Sequence, residues 1–288
     1  MQAATLTRRT FLATATAAAA SASFAAPAAK GKLRVGCQTN GWVMKPPSFD
    51  ELIRVLGEAR QMDYHGFECN NRFVRDQFNN TAEARKRIAA TGMDFIGVHT
   101  STGELDKAGF LDALVQGASK LGAHYVVLSS SGLAPDGKFT DDALRAKVAK
   151  LEEYGKVCNK GGMRLAYHNH QPEFANNNAE MNGIAERSNP ELVSFLMDAG
   201  HGYQGGGDPS KFMLKHSHRI VGVHLKTFKN HTEQVPLGEG DFGFEALAAA
   251  IHRTGWSGWL IDEEGNPKRG DTAAVGPDRA YIRKIFGV

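Results

Sequence analysis

From Lys32 onward, the chain alternates short apolar runs with longer stretches in which apolar residues recur every three to four positions. The short runs are rich in β-branched and aromatic residues and predict β-strands, whereas the longer stretches predict amphipathic helices. Most of the short runs are continuously apolar, as expected for strands that are covered on both faces. Strands are predicted at residues 33–37, 66–69, 94–99, 125–129, 164–168, 193–198, 220–225 and 259–262.

Local signals mark where the intervening helices begin. Ser48 is followed three positions later by Glu51, which is a capping-box pattern, and Asp208 precedes a proline at the first helical position. After Asp198, the glycines at positions 200 and 205–207 predict that the next helix begins late. Helices are predicted at residues 48–62, 82–90, 107–121, 141–160, 179–187, 208–216, 244–253 and 272–285.

Eight alternating strand–helix units predict a parallel sheet in which helices are the connections. The chain after residue 28 has about 260 residues, the usual size of a closed barrel of eight such units. We therefore predict an α/β fold, a single-domain (β/α)8 TIM barrel over residues 32–288. The alternative is an open doubly wound sheet, but no GxGxxG pattern follows the first strand, where a dinucleotide-binding fold would have one.

The first 28 residues have the composition of an export signal. Residues 7–12 (TRRTFL) contain a twin-arginine pair, and an alanine-rich apolar run follows and ends in a small-residue cleavage pattern at 26–28. The run is too short and too rich in alanine for a good membrane-spanning anchor, which is the alternative. We predict a twin-arginine signal peptide over residues 1–28, export of the folded protein to the periplasm, and no stable membrane association after cleavage.

Charge and cysteine content narrow the class of protein. The net charge is +3 and the lysines and arginines are dispersed, so no basic stripe indicates nucleic-acid binding. The cysteines Cys37, Cys69 and Cys158 have neither zinc-finger nor CxxC spacing, and their odd number argues against a full disulfide framework. A Cys37–Cys69 disulfide stays open because both residues lie near predicted strand ends. The sequence also leaves open whether the protein is a homo-oligomer.

In a barrel of this type, catalytic groups lie at the carboxyl ends of the strands. Five of the eleven histidines fall at these predicted ends, more than scattered placement would give, and acidic residues share the same edge. The sequence therefore predicts a functional cluster at the barrel mouth. The charged and imidazole candidates are Glu68, His99, His168, His170, Glu173, Asp198, His201, His224, Lys226, Asp262, Glu263 and Glu264.

Imidazole nitrogens and carboxylate oxygens together suit a borderline divalent ion such as Mn²⁺, Zn²⁺, Co²⁺ or Fe²⁺. Such an ion acts as a Lewis acid on a carbonyl or hydroxyl and can hold two adjacent substrate oxygens. Polarising a carbonyl acidifies the neighbouring C–H, which a carboxylate or imidazole can then remove. Isomerisation, epimerisation and β-elimination all begin with this step.

Five motifs follow one another in the second half of the chain: YHNHQPEF at 167–174, MDAGH at 197–201, HLKT at 224–227, PLGEGDF at 236–242 and GWLIDEE at 258–264. In this order and spacing they resemble the xylose isomerase-like TIM-barrel superfamily, which includes the sugar phosphate isomerase/epimerase family. The rhythm of eight units extends the resemblance over the chain after the signal. The motifs are specific for the superfamily but not for a substrate.

The resemblance implies one divalent metal ion with ligands from the fifth to the eighth strand. Matched position by position, the ligands are His168, Asp198, His224 and Glu263, with Glu264 as the alternative to Glu263. Mn²⁺ is expected first, with Zn²⁺, Co²⁺ and Mg²⁺ as alternatives. His168 departs from the pattern, because the epimerases have a glutamate there and pass a proton between carboxylates on opposite faces of the substrate.

The other strand-end residues are assigned to catalysis and substrate binding. His170 lies two residues beyond His168 and would share its strand face, so either could bind the metal; we assign His168 to the metal and His170 to catalysis. Lys226 is expected to stabilise charge on a substrate oxygen, and Glu173 to act as general base, the alternatives being a surface lysine and a loop cap. Substrate contacts are assigned to Glu68, His99, His201 and Trp42. The alternatives are structural hydrogen bonding for the first three and packing for Trp42.

We expect a metal-dependent isomerase or epimerase of a non-phosphorylated sugar or keto-sugar, acting by proton abstraction next to a metal-bound carbonyl. Export favours a free sugar or glycoside, because sugar phosphates are cytoplasmic metabolites. Two alternatives stay open. One is β-elimination by a 3-keto-glycoside lyase or dehydratase on the same scaffold, and the other is a non-catalytic periplasmic sugar-binding protein, which would need no metal.

Overall fold

The computed structural model describes residues 32–129, 132–263 and 271–288. The predicted signal peptide and Glu264 lie outside these residues. The strands are β1 (Arg34–Gln38), β2 (Gly66–Asn70), β3 (Asp94–Ser101), β4 (Tyr125–Ser129), β5 (Arg164–His168), β6 (Val193–Asp198), β7 (Ile220–Leu225), β8 (Thr227–Lys229), β9 (Glu233–Val235) and β10 (Trp259–Asp262).

Eight of these strands form a closed parallel barrel within the described residues. Its order is β1-β10-β7-β6-β5-β4-β3-β2, and the barrel closes where Arg34 of β1 pairs with Trp259 of β10. The remaining two strands, β8 and β9, form a separate antiparallel hairpin. The predicted (β/α)8 fold is therefore confirmed, and the hairpin was not predicted.

Helices cover the outside of the barrel. They are α1 (Phe49–Gln61), α2 (Thr81–Ala90), α3 (Thr102–Leu105), α4 (Phe110–Leu121), α5 (Asp141–Lys160), α6 (Gln171–Arg187), α7 (Ala199–Gln204), α8 (Pro209–His216), α9 (Glu245–Thr254) and α10 (Asp271–Phe286). The predicted caps form: the side chain of Ser48 accepts a hydrogen bond from the Glu51 amide, and that of Asp208 accepts one from the Lys211 amide. Among the described residues, no helix has the length and apolar character that crossing a membrane requires.

The prediction of a late helix after Asp198 is wrong. Helix α7 begins at Ala199, and the Asp198 side chain caps it by accepting a hydrogen bond from the His201 amide. Gly200 does not delay the helix. A Cβ atom at that position would lie 2.2 Å from the carbonyl oxygen of Lys226. The glycine therefore lets α7 pack closely against the end of β7.

Two other predicted helices have different bounds. The stretch predicted at 107–121 divides into α3 and α4, which are separated by residues 106–109. Helix α6 begins at Gln171, but asparagines 176–178 interrupt it with φ values of 50°, 60° and 62°. The part after the interruption begins at 179, as predicted, and the short helical turn before it was not predicted. Asparagine adopts this left-handed conformation more readily than most residues. The three asparagines thus form a kink inside a helical segment.

Two β-bulges decide which side chains enter the barrel. Ile96 is the extra residue on β3, opposite β2, and Val221 is the extra residue on β7, opposite β6. Because side chains alternate between the faces of a strand, one extra residue reverses the face of every residue after it. These bulges turn His99 and His224 towards the barrel axis.

The barrel interior below its mouth is a packed core rather than a pore, as is usual for this fold. Its buried side chains are Ile96, Val127, Ala166, Leu196, Trp259 and Ile261. The polar end of the barrel therefore stands on an apolar floor that excludes water. The three cysteines, Cys37, Cys69 and Cys158, are buried and free, so the Cys37–Cys69 disulfide does not form in this structure.

We expect His216 to destabilise the fold below neutral pH. Burial, assisted by Lys215, lowers the pKa of His216 from 6.5 to about 4. Between these two pKa values the unfolded chain binds the proton and the folded protein does not. The free energy of unfolding therefore falls as the pH decreases from 6.5 towards 4. Between about pH 7 and about pH 5 the expected loss is roughly 2 kcal/mol.

Urea titrations at the two pH values measure this loss. The variant His216→Gln should lose about 2 kcal/mol less than the wild type between them. The exposed neighbour His218 provides the control, because His218→Gln should retain the wild-type pH dependence. An unchanged slope in His216→Gln would show that other groups cause the acid destabilisation.

Candidate metal centre

Four side chains from neighbouring strands meet at the barrel mouth. His168, Asp198 and His224 lie at the ends of β5, β6 and β7, and Glu263 follows β10. All four are buried, and one nitrogen or oxygen atom of each lies within 4.8 Å of those of the other three. The structure thus brings together the four ligands that the family resemblance implies.

The spacing of the four atoms suits a divalent ion. His168 Nε2 lies 3.0 Å from His224 Nδ1, 3.4 Å from Asp198 Oδ2 and 3.7 Å from Glu263 Oε2. Ligands about 2.1 Å from a tetrahedral ion are separated by about 3.4 Å, so these three distances are near those of such a site. The hydrogen bond between His224 Nδ1 and Glu263 Oε2, at 2.5 Å, would lengthen when an ion binds. Asp198 Oδ2 is buried without a hydrogen-bond partner of good geometry among the described residues. A buried carboxylate oxygen is costly unless a cation lies beside it. The Lys226 ammonium lies 3.3 Å from this oxygen, and a metal ion would be a second cation there.

Electrostatic interactions keep the two carboxylates of the cluster ionised and keep His224 protonated. Burial alone would raise the pKa of Asp198 and of Glu263, but Lys226 and neighbouring histidines hold both pKa values well below their usual range. Burial alone would lower the pKa of His224, but Glu263 and Glu68 raise it to about 10. A divalent ion would therefore bind Nδ1 of His224 in exchange for a proton.

Lys226 places a positive charge beside this cluster. Its Nζ atom lies 2.9 Å from Glu263 Oε2, 3.3 Å from Asp198 Oδ2 and 3.3 Å from His201 Nε2. Burial would lower the pKa of Lys226, but the two carboxylates raise it instead, so the side chain stays an ammonium. The residue is 7% exposed, which excludes the alternative of a surface lysine.

His170 and His201 form the rim next to the cluster. Both are partly exposed, and their ring centroids lie 5.0 Å apart, with that of His170 5.3 Å from that of His168. Burial lowers the pKa of His201 to about 4, so its ring is neutral at neutral pH. Phe228 of the hairpin packs 5.4 Å from the His201 ring and supplies an apolar surface beside these imidazoles.

Glu68 and His99 lie on the other side of the cluster. Glu68 Oε2 lies 2.6 Å from His224 Nε2 and 2.8 Å from His99 Nε2. These contacts hold the pKa of Glu68 at about 2 against the effect of burial. Nδ1 of His99 lies 3.2 Å from the Ser129 hydroxyl. Four strands thus contribute to one chain of hydrogen bonds that ends at His224.

Two of the predicted site residues lie elsewhere. Glu173 is buried, accepts a hydrogen bond from the Tyr167 hydroxyl and another from the His170 amide, and so caps α6. This placement favours the loop-cap alternative over a general base. Trp42 is 4% exposed and belongs to the main hydrophobic core, which favours a packing role over substrate contact.

Three supporting residues had no signal in the sequence. Asn169 binds both the amide and the carbonyl of Asp198 with its side chain and so fixes the end of β6. Gln204 Oε1 lies 3.0 Å from His201 Nδ1, and Gln234 of the hairpin donates to the Glu263 carbonyl. Each is an ordinary amide in the sequence, and only the fold shows what it contacts.

Comparison with known proteins agrees with the fold. Residues 56–285 match the family described as xylose isomerase-like TIM barrel, and the chain belongs to that family. Inosose dehydratase 1 of Bacillus cereus (strain ZK / E33L) is 25% identical over 75% of this chain and 82% of its own length.

Solved structures show the same fold. An IolI protein with a binding zinc atom superposes with a TM-score of 0.73 at 14% identity, covering 88% of this chain and 98% of that chain. An L-ribulose 3-epimerase superposes with a TM-score of 0.71 at 18% identity, covering 88% and 95%. The match over residues 56–285 thus confirms the predicted superfamily.

Proposed function

We propose that the protein is a metal-dependent lyase or dehydratase that eliminates a β-substituent from a polyhydroxylated ketone, such as inosose or a 3-keto-glycoside. The observation that carries the proposal is the cluster of His168, Asp198, His224 and Glu263 with the Lys226 ammonium beside it. The similarity to inosose dehydratases supports elimination of water as the reaction. The predicted isomerase or epimerase is the second candidate, supported by the similarity of fold to an epimerase.

A divalent ion held by the four ligands would polarise the ketone oxygen and acidify the neighbouring C–H. His170 is the group we assign to remove that proton, because its imidazole lies on the rim next to the cluster. The C–H electron pair forms a C=C bond as the bond between the β-carbon and its oxygen breaks. The proton held by His170 passes to that oxygen, which leaves as water or, from a 3-keto-glycoside, as the aglycone alcohol. Lys226 stabilises the negative charge that develops on the ketone oxygen.

The fifth strand favours elimination over epimerisation. Epimerisation with two carboxylates needs one on each face of the substrate, and β5 provides His168 where the epimerases have a glutamate. Among the described residues, Glu173 is bonded to Tyr167 and to the His170 amide, and Glu68 is bonded to two histidines. Elimination requires removal of a proton from one face only, which a single rim imidazole can perform.

The experiment is a screen of inosose, 3-keto-glucosides and free ketoses with the metal-loaded protein in D₂O. We expect a product that has lost water, or an aglycone, and that absorbs in the ultraviolet as a conjugated ketone. His170→Gln should lower kcat by about 10²–10⁴-fold, the usual contribution of a general base. The control is His124→Gln on the surface, where the imidazole contacts only Asp94 and Tyr125 among the described residues.

The other outcomes separate the candidates. An isomer that has gained deuterium at the carbon next to the carbonyl, without loss of water, indicates an epimerase or isomerase and contradicts the elimination. Binding of a sugar without turnover, by a protein that takes up no metal, indicates the non-catalytic sugar-binding protein.

A further inference from the structure

We propose that Glu68 is a positioning residue of the metal centre: it holds the Nε2 proton of His224 and thereby directs the Nδ1 lone pair to the metal ion. This inference rests on the metal centre of the proposed function. It assigns Glu68 a role through His224 rather than contact with the substrate.

The hydrogen bond between Glu68 and His224 determines which nitrogen of the imidazole carries a proton. An ionised carboxylate only accepts hydrogen bonds, so each ring nitrogen that contacts it must carry a proton. Glu68 Oε2 lies 2.6 Å from His224 Nε2, and this nitrogen must therefore be the donor. In a neutral imidazole the other nitrogen, Nδ1, then has the lone pair. In this structure Nδ1 in turn donates to Glu263 Oε2 at 2.5 Å and lies 3.0 Å from His168 Nε2. A divalent ion at Nδ1 would therefore replace the second proton of the ring and leave the proton that Glu68 holds on Nε2.

A second hydrogen bond, from His99, holds the Glu68 carboxylate in place. The same oxygen accepts a hydrogen bond from His99 Nε2 at 2.8 Å, and the Ser129 hydroxyl lies 3.2 Å from His99 Nδ1. The rings of His99 and His224 are inclined by only 25°, with centroids 5.7 Å apart, so they approach the carboxylate side by side. Glu68 has no exposed surface, which leaves it no competing interaction with water.

The backbone of β3 leaves space for the Glu68 carboxylate. A Cβ atom at Gly97 would lie 3.4 Å from Glu68 Oε1 and 2.7 Å from the Val127 side chain. The bulge at Ile96 brings Gly97, instead of a residue with a side chain, opposite Glu68. The same bulge turns His99 inward. One irregularity of β3 therefore creates both the space for Glu68 and its second hydrogen bond.

The experiment compares wild-type protein, Glu68→Gln and Glu180→Gln for binding of Zn²⁺ alone, by titration against a chromophoric chelator. Glutamine keeps the shape of glutamate but has one acceptor oxygen and no charge. Glu180 is the matched control, because it lies outside the cluster and is as buried as Glu68. Its carboxylate forms an ion pair with Lys147 and accepts a hydrogen bond from the Leu133 amide. We expect Glu68→Gln to bind one equivalent about 10–100-fold more weakly, as is usual when a ligand histidine loses its orienting carboxylate.

A second measurement reads the position of the proton directly. In the Zn²⁺ form labelled with ¹⁵N-histidine, the wild type should show His224 protonated at Nε2 and bound through Nδ1. In Glu68→Gln the Nε2 proton should exchange faster or the tautomer should become mixed. A loss of packing alone would leave the tautomer unchanged, so the tautomer is the measurement that decides.

Three results would contradict the inference, each in a different way. Equal Zn²⁺ affinity of wild type and Glu68→Gln shows that Glu68 does not position His224, although the metal centre stands. A second equivalent in the wild type that Glu68→Gln loses shows that Glu68, His99 and His224 bind an ion of their own. A wild type that binds no Zn²⁺, Mn²⁺ or Co²⁺ removes the metal centre itself, and with it the proposed function.

Discussion

Replacing Asp198 with asparagine is expected to empty the metal centre and abolish turnover while the fold is retained. Asp198 Oδ1 caps α7 through the His201 amide at 2.7 Å, and an asparagine oxygen can accept the same hydrogen bond. Oδ2 is the atom that belongs to the cluster, and asparagine places there an amide group that donates instead of accepting. The substitution thus separates the two roles of one side chain.

The expected loss of metal affinity exceeds about a hundredfold, the upper end of what removal of an orienting residue costs, because Asp198 would contact the ion directly. Elemental analysis and Zn²⁺ titration measure it, and circular dichroism checks the fold. The control is Asp208→Asn, which changes the same atoms at the cap of α8, where Oδ1 accepts a hydrogen bond from the Lys211 amide. Full metal content in Asp198→Asn would move the site away from this cluster.

The strands could be predicted from the sequence because strands buried on both faces consist of continuous apolar residues. Val193–Asp198 and Ile220–Leu225 have the predicted bounds, and each has a side chain of the cluster, Asp198 or His224, in its last two residues. A parallel barrel brings all strand ends to one edge, so the order of the chain was sufficient to gather His168, Asp198, His224 and Glu263 there. No local pattern gives their mutual distances, which depend on the register between strands.

What the sequence could not show are the contacts between elements that are distant in the chain. Glu173 has the composition of a base beside two histidines, but the Tyr167 hydroxyl and the His170 amide occupy its two oxygens. Gly200 has the propensity of a helix breaker, but close packing against Lys226 requires a glycine there. In both cases tertiary contact decides between two uses of a residue that local rules leave equal.

The two β-bulges are a further reason why the contacts of the site could not be predicted from the sequence. Strict alternation along Asp94–Ser101 puts Ile96 and His99 on opposite faces, yet both face the interior because Ile96 is itself the extra residue of a bulge. A bulge has no fixed sequence signature, and so the hydrogen bonds from His99 through Glu68 to His224 could not be derived. The prediction could place Glu68 and His99 at the mouth but not give either a partner.

Replacing Lys226 with methionine is expected to remove most of the catalysis while the metal ion stays bound. The ammonium lies 2.9 Å from Glu263 Oε2 and 3.3 Å from Asp198 Oδ2, beside the place where the ketone oxygen would bind. Loss of one fixed group that stabilises developing charge lowers kcat by about 10²–10³-fold. Methionine has a similar length and no charge, so it leaves the cavity filled.

Metal affinity should stay equal or increase in Lys226→Met, since a cation that repels the ion has been removed from the two carboxylates. This opposite effect on affinity and turnover distinguishes a catalytic role from a structural one, in which both would fall together. Zn²⁺ titration and kcat on the substrate that the screen identifies are the measurements, with Lys229→Met on the exposed side of β8 as the control. If Lys226→Met keeps wild-type kcat, the charge on the ketone oxygen must be stabilised by the metal ion alone.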